Sequence, residues 1–190
     1  MVKLVSFLAR LRPWQLFVVT VAPMALAVVL FGPFANPRAD LESFRSNFTV
    51  MMFVSLPGYL IFYAWVLTVG IVCNREIDAP YRKSERLFRF SVPFAMVYVT
   101  IAVWAFPEAV LSDDQVLLRA LVFPVHFVAT ILLFYSIIFS ARSLAMLNDP
   151  QSPGFWNSFR YFLALLYFPI GLWFVQPKVY SLSNASQDGR

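Results

Sequence analysis

The chain has 190 residues, of which 60% are hydrophobic and only 13% charged, against roughly 45–50% and about 25% in average soluble domains; too little polar surface remains to cover a water-soluble globule. Its net charge of +5 does not point to nucleic acid, because the Lys and Arg residues lie between apolar blocks and not in an aromatic-interleaved basic surface. Cys73 is the only cysteine, which excludes an intrachain disulfide, and with no His/Cys cluster around it neither a metal site nor any other cofactor is expected.

A helix needs about 20 mainly apolar residues to cross a hydrocarbon core roughly 30 Å thick, and no backbone polar group can stay unpaired there. The first uncharged block, Trp14 to Phe34, follows a basic N-terminus and ends near Gly32 and Ala35. It exceeds the ~7–15 residues of a secretory h-region, so it reads as an uncleaved signal anchor. Phe48 to Cys73, Phe90 to Pro107 and Ala120 to Ser140 also contain no Asp, Glu, Lys or Arg. Tyr161 to Val175 is shorter, with Arg160 at its start; it reads as a fifth span, the alternative being a re-entrant or interfacial segment. The polar stretch SLSNASQDGR, Ser181 to Arg190, is expected to be disordered. The fold class is therefore all-α, a polytopic transmembrane bundle of about five spans, with one domain over 1–180 and a tail over 181–190.

Connections are short: Ala35 to Asn47, Asn74 to Arg89, Glu108 to Arg119 and Ala141 to Arg160. They leave no room for a soluble domain. Lys and Arg in short loops are retained in the cytoplasm. Five spans from a cytoplasmic start put Lys3, Arg10, Arg12, Arg75, Arg82, Lys83, Arg86, Arg89, Arg142 and Arg160 inside, ten of the fifteen basic residues. Arg38, Arg45, Arg119, Lys178 and Arg190 fall outside, the first two offset by Asp40 and Glu42 and the third by Glu108, Asp113 and Asp114. The expected arrangement is N-terminus in, C-terminus out. Trp14, Trp104, Trp156 and Trp173 lie near the ends of their blocks, where indoles anchor at membrane interfaces.

The second loop is the most basic. If it continues helically into the third span, Arg82, Arg86 and Arg89 share one face. Together with Lys83 they are candidate contacts for anionic lipids at the cytoplasmic face, each worth about 1 kcal/mol, although positive-inside retention alone accounts for such a cluster.

His126, the sole histidine, falls about 9 Å along the fourth block. An ionisable group at that depth marks a proton path or ligand site, or else joins two helices by a hydrogen bond. Thr130, one turn on, is a candidate partner for its ring. Pro57 and Gly58, Pro93, Pro124, and Pro169 with Gly171 interrupt the spans; such breaks form ion sites in transporters but are also ordinary packing features. No HExxH, GxSxG, glycine-rich phosphate loop or CxxC pair is present, so no enzyme is expected. Adjacent Asp113 and Asp114 read as solvated turn residues. Glu76 and Asp78, beside Asn74 and Arg75, read as a rim ion-pair knot.

Three stretches carry a family resemblance. RPWQLFVVTVAP (Arg12 to Pro23), PVHFVATILLFYSIIFSARSL (Pro124 to Leu144) and, most specifically, FPIGLWFVQPKV (Phe168 to Val179) resemble signatures of an uncharacterised bacterial polytopic membrane protein family, frequent in Bacteroidetes. Trp65, followed by the basic loop of Arg75 to Arg89, is similar to the family's second span. The motif positions are Trp14, Gln15, His126, Tyr135, Pro169, Gly171, Trp173, Gln176 and Pro177; the loop NDPQSPGFWNSF departs from the pattern. The resemblance implies a multi-pass protein of the bacterial cytoplasmic membrane and supplies no activity.

Three functions remain to weigh. The first is a non-catalytic membrane component or assembly subunit, whose partners are the bilayer, other membrane proteins or a second copy of itself. The second is a small transporter or channel using His126, Tyr135, Trp173 and Gln176 with the broken fifth helix. The third, a lipid-modifying enzyme, lacks a visible nucleophile, base or metal.

Overall fold

The computed structural model describes residues 2–31, 41–111, 116–149 and 154–188. Uncharged runs with no water to hydrogen-bond their backbone must pair it internally, and the described residues form seven helices and no strand: α1 Val2–Ala9, α2 Pro13–Phe31, α3 Leu41–Glu76, α4 Arg86–Leu111, α5 Val116–Met146, α6 Phe155–Leu166 and α7 Phe168–Asp188. Four of them, α2 to α5, are long and apolar enough to cross a membrane. Pro23, Pro57, Pro93, Pro107 and Pro124 all lie inside unbroken helices. Gly58 marks a close approach instead of a break: a Cβ there would come within 2.4 Å of the Thr20 carbonyl on α2.

The helices outrun the uncharged blocks. At 36 residues, α3 is ~54 Å long, so Leu41 to Asn47, expected in a loop, is helical. Its overhang carries Arg45, which pairs with Glu108 near the end of α4 and not solely with nearby acids in sequence. α1, hidden in what reads as a basic leader, buries Val5, Leu8 and Ala9. That three-and-four spacing makes one apolar face, and it packs on α3.

The fifth segment is broken into two helices. α6 and α7 meet at Tyr167 with a change of direction of 119°. The two arms lie back to back: a Cβ on Gly171 would fall 1.6 Å from the Ala164 carbonyl, and the Lys178 ammonium donates to the Tyr161 hydroxyl at 2.6 Å. The outer ends of the arms are tied to one end of the bundle. Tyr161 is held by Asn148, just past the end of α5, at 3.1 Å. Gln176 is held by the backbone of Leu8 to Leu11, just before α2. Both outer ends of the pair therefore lie at the end of the bundle that carries the N-terminus, an arrangement that fits the re-entrant alternative to a fifth crossing. Lys178 lies with them at the basic end. The break follows from chemistry: Pro169 lacks a backbone donor and suits the first turn of a helix, and Gly171 alone allows the arms to close.

Helix α7 also runs through Asp188, so the stretch expected to be disordered is helical up to that residue; elongating an existing helix is far cheaper than nucleating one.

The core lies at the same end. Trp65 is fully buried among Leu8, Leu16, Leu144, Leu165 and Leu172, with Phe168 edge-on to it at 5.0 Å. Phe88 stacks on Phe139 at 4.3 Å beside it. At the opposite end a much smaller cluster joins Ala105, Ala109 and Val122.

Candidate functional site

Gln176, a candidate path-lining residue, is fully buried and is a structural joint. Its carboxamide oxygen accepts from the Trp65 indole at 2.8 Å. Its nitrogen reaches the carbonyls of Leu8 at 3.0 Å, Ala9 at 3.3 Å and Leu11 at 2.7 Å. The last carbonyls of a helix have no intrahelical partner; here α7 supplies one to α1, so both faces of the amide are used. Neighbouring Trp173 points outward, 53% exposed, as expected of a lipid-facing indole.

His126 lies on an exposed face of α5 and shares a 2.8 Å hydrogen bond through Nδ1 with the Tyr98 hydroxyl of α4. Phe106 packs on its ring at 5.3 Å. Thr130 does not serve the ring; its hydroxyl donates to the His126 carbonyl at 2.8 Å, the usual back-bond of a helical threonine. These residues edge a cleft of about 220 Å³ between α3, α4 and α5, whose other walls include Met52, Val99, Ala102 and Leu133. Tyr135 lies two and a half turns further along α5, packed on Phe139 at 6.4 Å beside Arg86 and Phe90. His126 and Tyr135 thus belong to different places, and neither meets Gln176.

The basic loop divides into cations that build it and cations that do not. Arg82 is outside α4, so the shared face of Arg82, Arg86 and Arg89 does not form. The Arg82 guanidinium turns back to the carbonyls of Arg75 at 2.6 Å and Ile77 at 3.1 Å, covering the end of α3. Arg89 pairs with Glu85 one turn earlier at 2.5 Å. Asn74, fully buried, donates to the Lys83 carbonyl and the Glu85 carboxylate, each at 3.0 Å, and accepts from the Lys83 amide at 3.1 Å. Burial opposes charge on Glu85, but the hydrogen bonds from Asn74 and Arg89 and the charges of Arg89 and Arg75 outweigh it and hold its carboxyl below the usual value. The polar knot is thus Asn74 with Glu85, where Glu76 and Asp78 were expected. Among the four candidate lipid contacts, only the Lys83 and Arg86 side chains are not spent on the loop itself. Asp113 and Asp114 lie outside the described residues.

Sequence reasoning missed Tyr98 and the joining roles of Trp65, Asn74 and Tyr161, which need the helix register to be found. Between the arms of α6 and α7 opens a cleft of about 550 Å³ edged by Arg160, Tyr161 and Lys178. Among the described residues no three His, Cys, Asp or Glu side chains converge as a metal site would require. No protein-family model matches the chain, and no curated protein or solved structure is significantly similar to it.

Proposed function

We propose that this protein is a non-catalytic component of a bacterial cytoplasmic membrane, with its N-terminus in the cytoplasm, acting as an assembly or packing subunit for other membrane proteins. One observation carries the reading. Of the buried side-chain polar groups in the described residues, only the Thr20 hydroxyl lacks a partner, and those partners are groups of this chain. Ser140 reaches the Val66 carbonyl at 3.0 Å, Ser91 and Ser136 share a 2.8 Å bond, and Gln176 joins α7, α3 and α1. In hydrocarbon such bonds fasten helices; used this way they are not available for a substrate. The basic residues gathered at the N-terminal end support the orientation, and the resemblance of the Phe168 to Val179 signature supports the bacterial setting.

Affinity purification in a mild detergent tests the proposal. A stoichiometric membrane-protein partner is expected; a solitary protein that drives solute flux in proteoliposomes, with flux abolished by His126→Ala, would overturn it in favour of a transporter.

A further inference from the structure

The cleft between α6 and α7 has a polar mouth and an apolar interior. At the mouth, the Tyr161 hydroxyl oxygen receives the Lys178 ammonium at 2.6 Å, Asn148 at 3.1 Å and the Arg160 guanidinium at 3.3 Å. Both cations also lie over its ring, at 4.9 and 5.0 Å from the centroid. Three donors thus converge on one neutral oxygen that has two lone pairs, while the ammonium and guanidinium carry further N–H groups of their own. Neither cation takes part in the ion pairs of the described residues, Arg45 with Glu108 and Arg89 with Glu85. Donor capacity and positive charge are in excess, which fits an anion with several acceptor oxygens.

Further in, the walls are apolar: Leu163, Tyr167, Ile170 and Phe174, each substantially exposed. Tyr167 closes the inner end. From that tip to Lys178 is about 16 Å along α7 at ~1.5 Å per residue, close to half of a hydrocarbon core ~30 Å thick. A re-entrant pair of this length would hold its mouth at the membrane surface and its tip near the midplane, the polarity and depth of one leaflet's lipid.

We propose that this cleft binds one anionic phospholipid, its phosphate held by Arg160, Lys178 and the Tyr161 hydroxyl, and an acyl chain laid along Ile170 and Phe174 toward Tyr167. The site is separate from the basic loop of Arg82 to Arg89. It does not depend on the assembly role above.

Native mass spectrometry of the full chain in detergent, titrated with dioleoyl phosphatidylglycerol or dioleoyl phosphatidylcholine, tests it. One phosphatidylglycerol adduct is expected at least fivefold more abundant than the phosphatidylcholine adduct. Excess inorganic phosphate should compete weakly, since it lacks the chain. Arg160→Gln with Lys178→Gln should reduce the adduct at least fivefold, and Ile170→Trp, at an exposed position that should spare folding, should reduce it while leaving the charges in place. Lys83→Gln with Arg86→Gln should leave it unchanged. Equal binding of the two lipids by the wild-type protein overturns the proposal, as does loss of the adduct on changing Lys83 and Arg86 but not Ile170. Displacement by phosphate alone at matching concentration would show a simple anion site and overturn the lipid.

Discussion

The two ends of this bundle are built differently. At the N-terminal end, α1 and the bent α6–α7 pair wedge against α3 and α5, so the second half of α5, from Ser136 to Met146, is largely buried. At the other end the same helix presents Leu121, Phe123, Phe127 and Ile131 outward. Composition marks the halves in part, since the buried half of α5 carries the small residues Ser136, Ser140, Ala141, Ser143 and Ala145, which let helices approach closely. The difference is made by the bent α6–α7 pair, which packs against one end of the bundle and not the other. Fully buried polar joints gather at the filled end, with Gln176, Asn74, Ser140 and the Ser91–Ser136 pair, whereas the cross-helix polar pairs of the open half, Tyr98 with His126 and Arg45 with Glu108, are more exposed.

Substitutions should therefore hurt the filled end most, which unfolding in mixed micelles can measure. Gly171→Val is expected to be the most damaging, by about 3 kcal/mol or more, because overpacking here meets backbone and not a flexible side chain; a cost below about 0.5 kcal/mol would show that the arms are not closed. Gln176→Ala should cost about 2 kcal/mol, since it strands a buried indole and the end of α1 together. Ser140→Ala should cost near 0.6 kcal/mol, the average for an interhelical bond in a membrane. At the open end, His126→Ala should cost no more than that, its partner Tyr98 being free to turn toward lipid headgroups or water.

The Glu85 knot adds a pH test at the filled end. Its folded carboxyl titrates below the ordinary value of 4.5, so it stabilises the fold above that pH and the stabilisation fades as pH falls through the lower, folded value. Glu85→Gln should flatten the loss of stability on acidification below the ordinary value of 4.5 relative to the wild type; an unchanged acid slope would mean the Asn74 contact does not act on the carboxylate.

The sequence showed the spans well because uncharged run length is itself the physical requirement for crossing a membrane. Direction was harder. Tyr161 to Val175 has the composition of a short span, and Pro169 with Gly171 announces a break without giving its angle; only the approach of Gly171 to the Ala164 carbonyl shows that the chain turns back. Gln176 was noticed as a position of the Phe168 to Val179 signature and as a candidate path-lining residue, yet its role depends on Leu8, 168 positions away, and no local pattern reports that. Trp65 was noted only through the family resemblance; its place at the centre of the core depends on residues from several helices packing around it. His126 was visible for its rarity, and its partner Tyr98 was not.

Sidedness of the C-terminus tests the re-entrant pair most directly. Native Cys73 is buried, so single cysteines can be introduced by Lys3→Cys, Ala185→Cys and Leu117→Cys and probed in sealed cells with a membrane-impermeant maleimide. Positions 3 and 185 should share one labelling pattern, opposite to that of position 117. If position 185 instead labels together with position 117, the fifth segment crosses and the half-filled bundle described above is wrong.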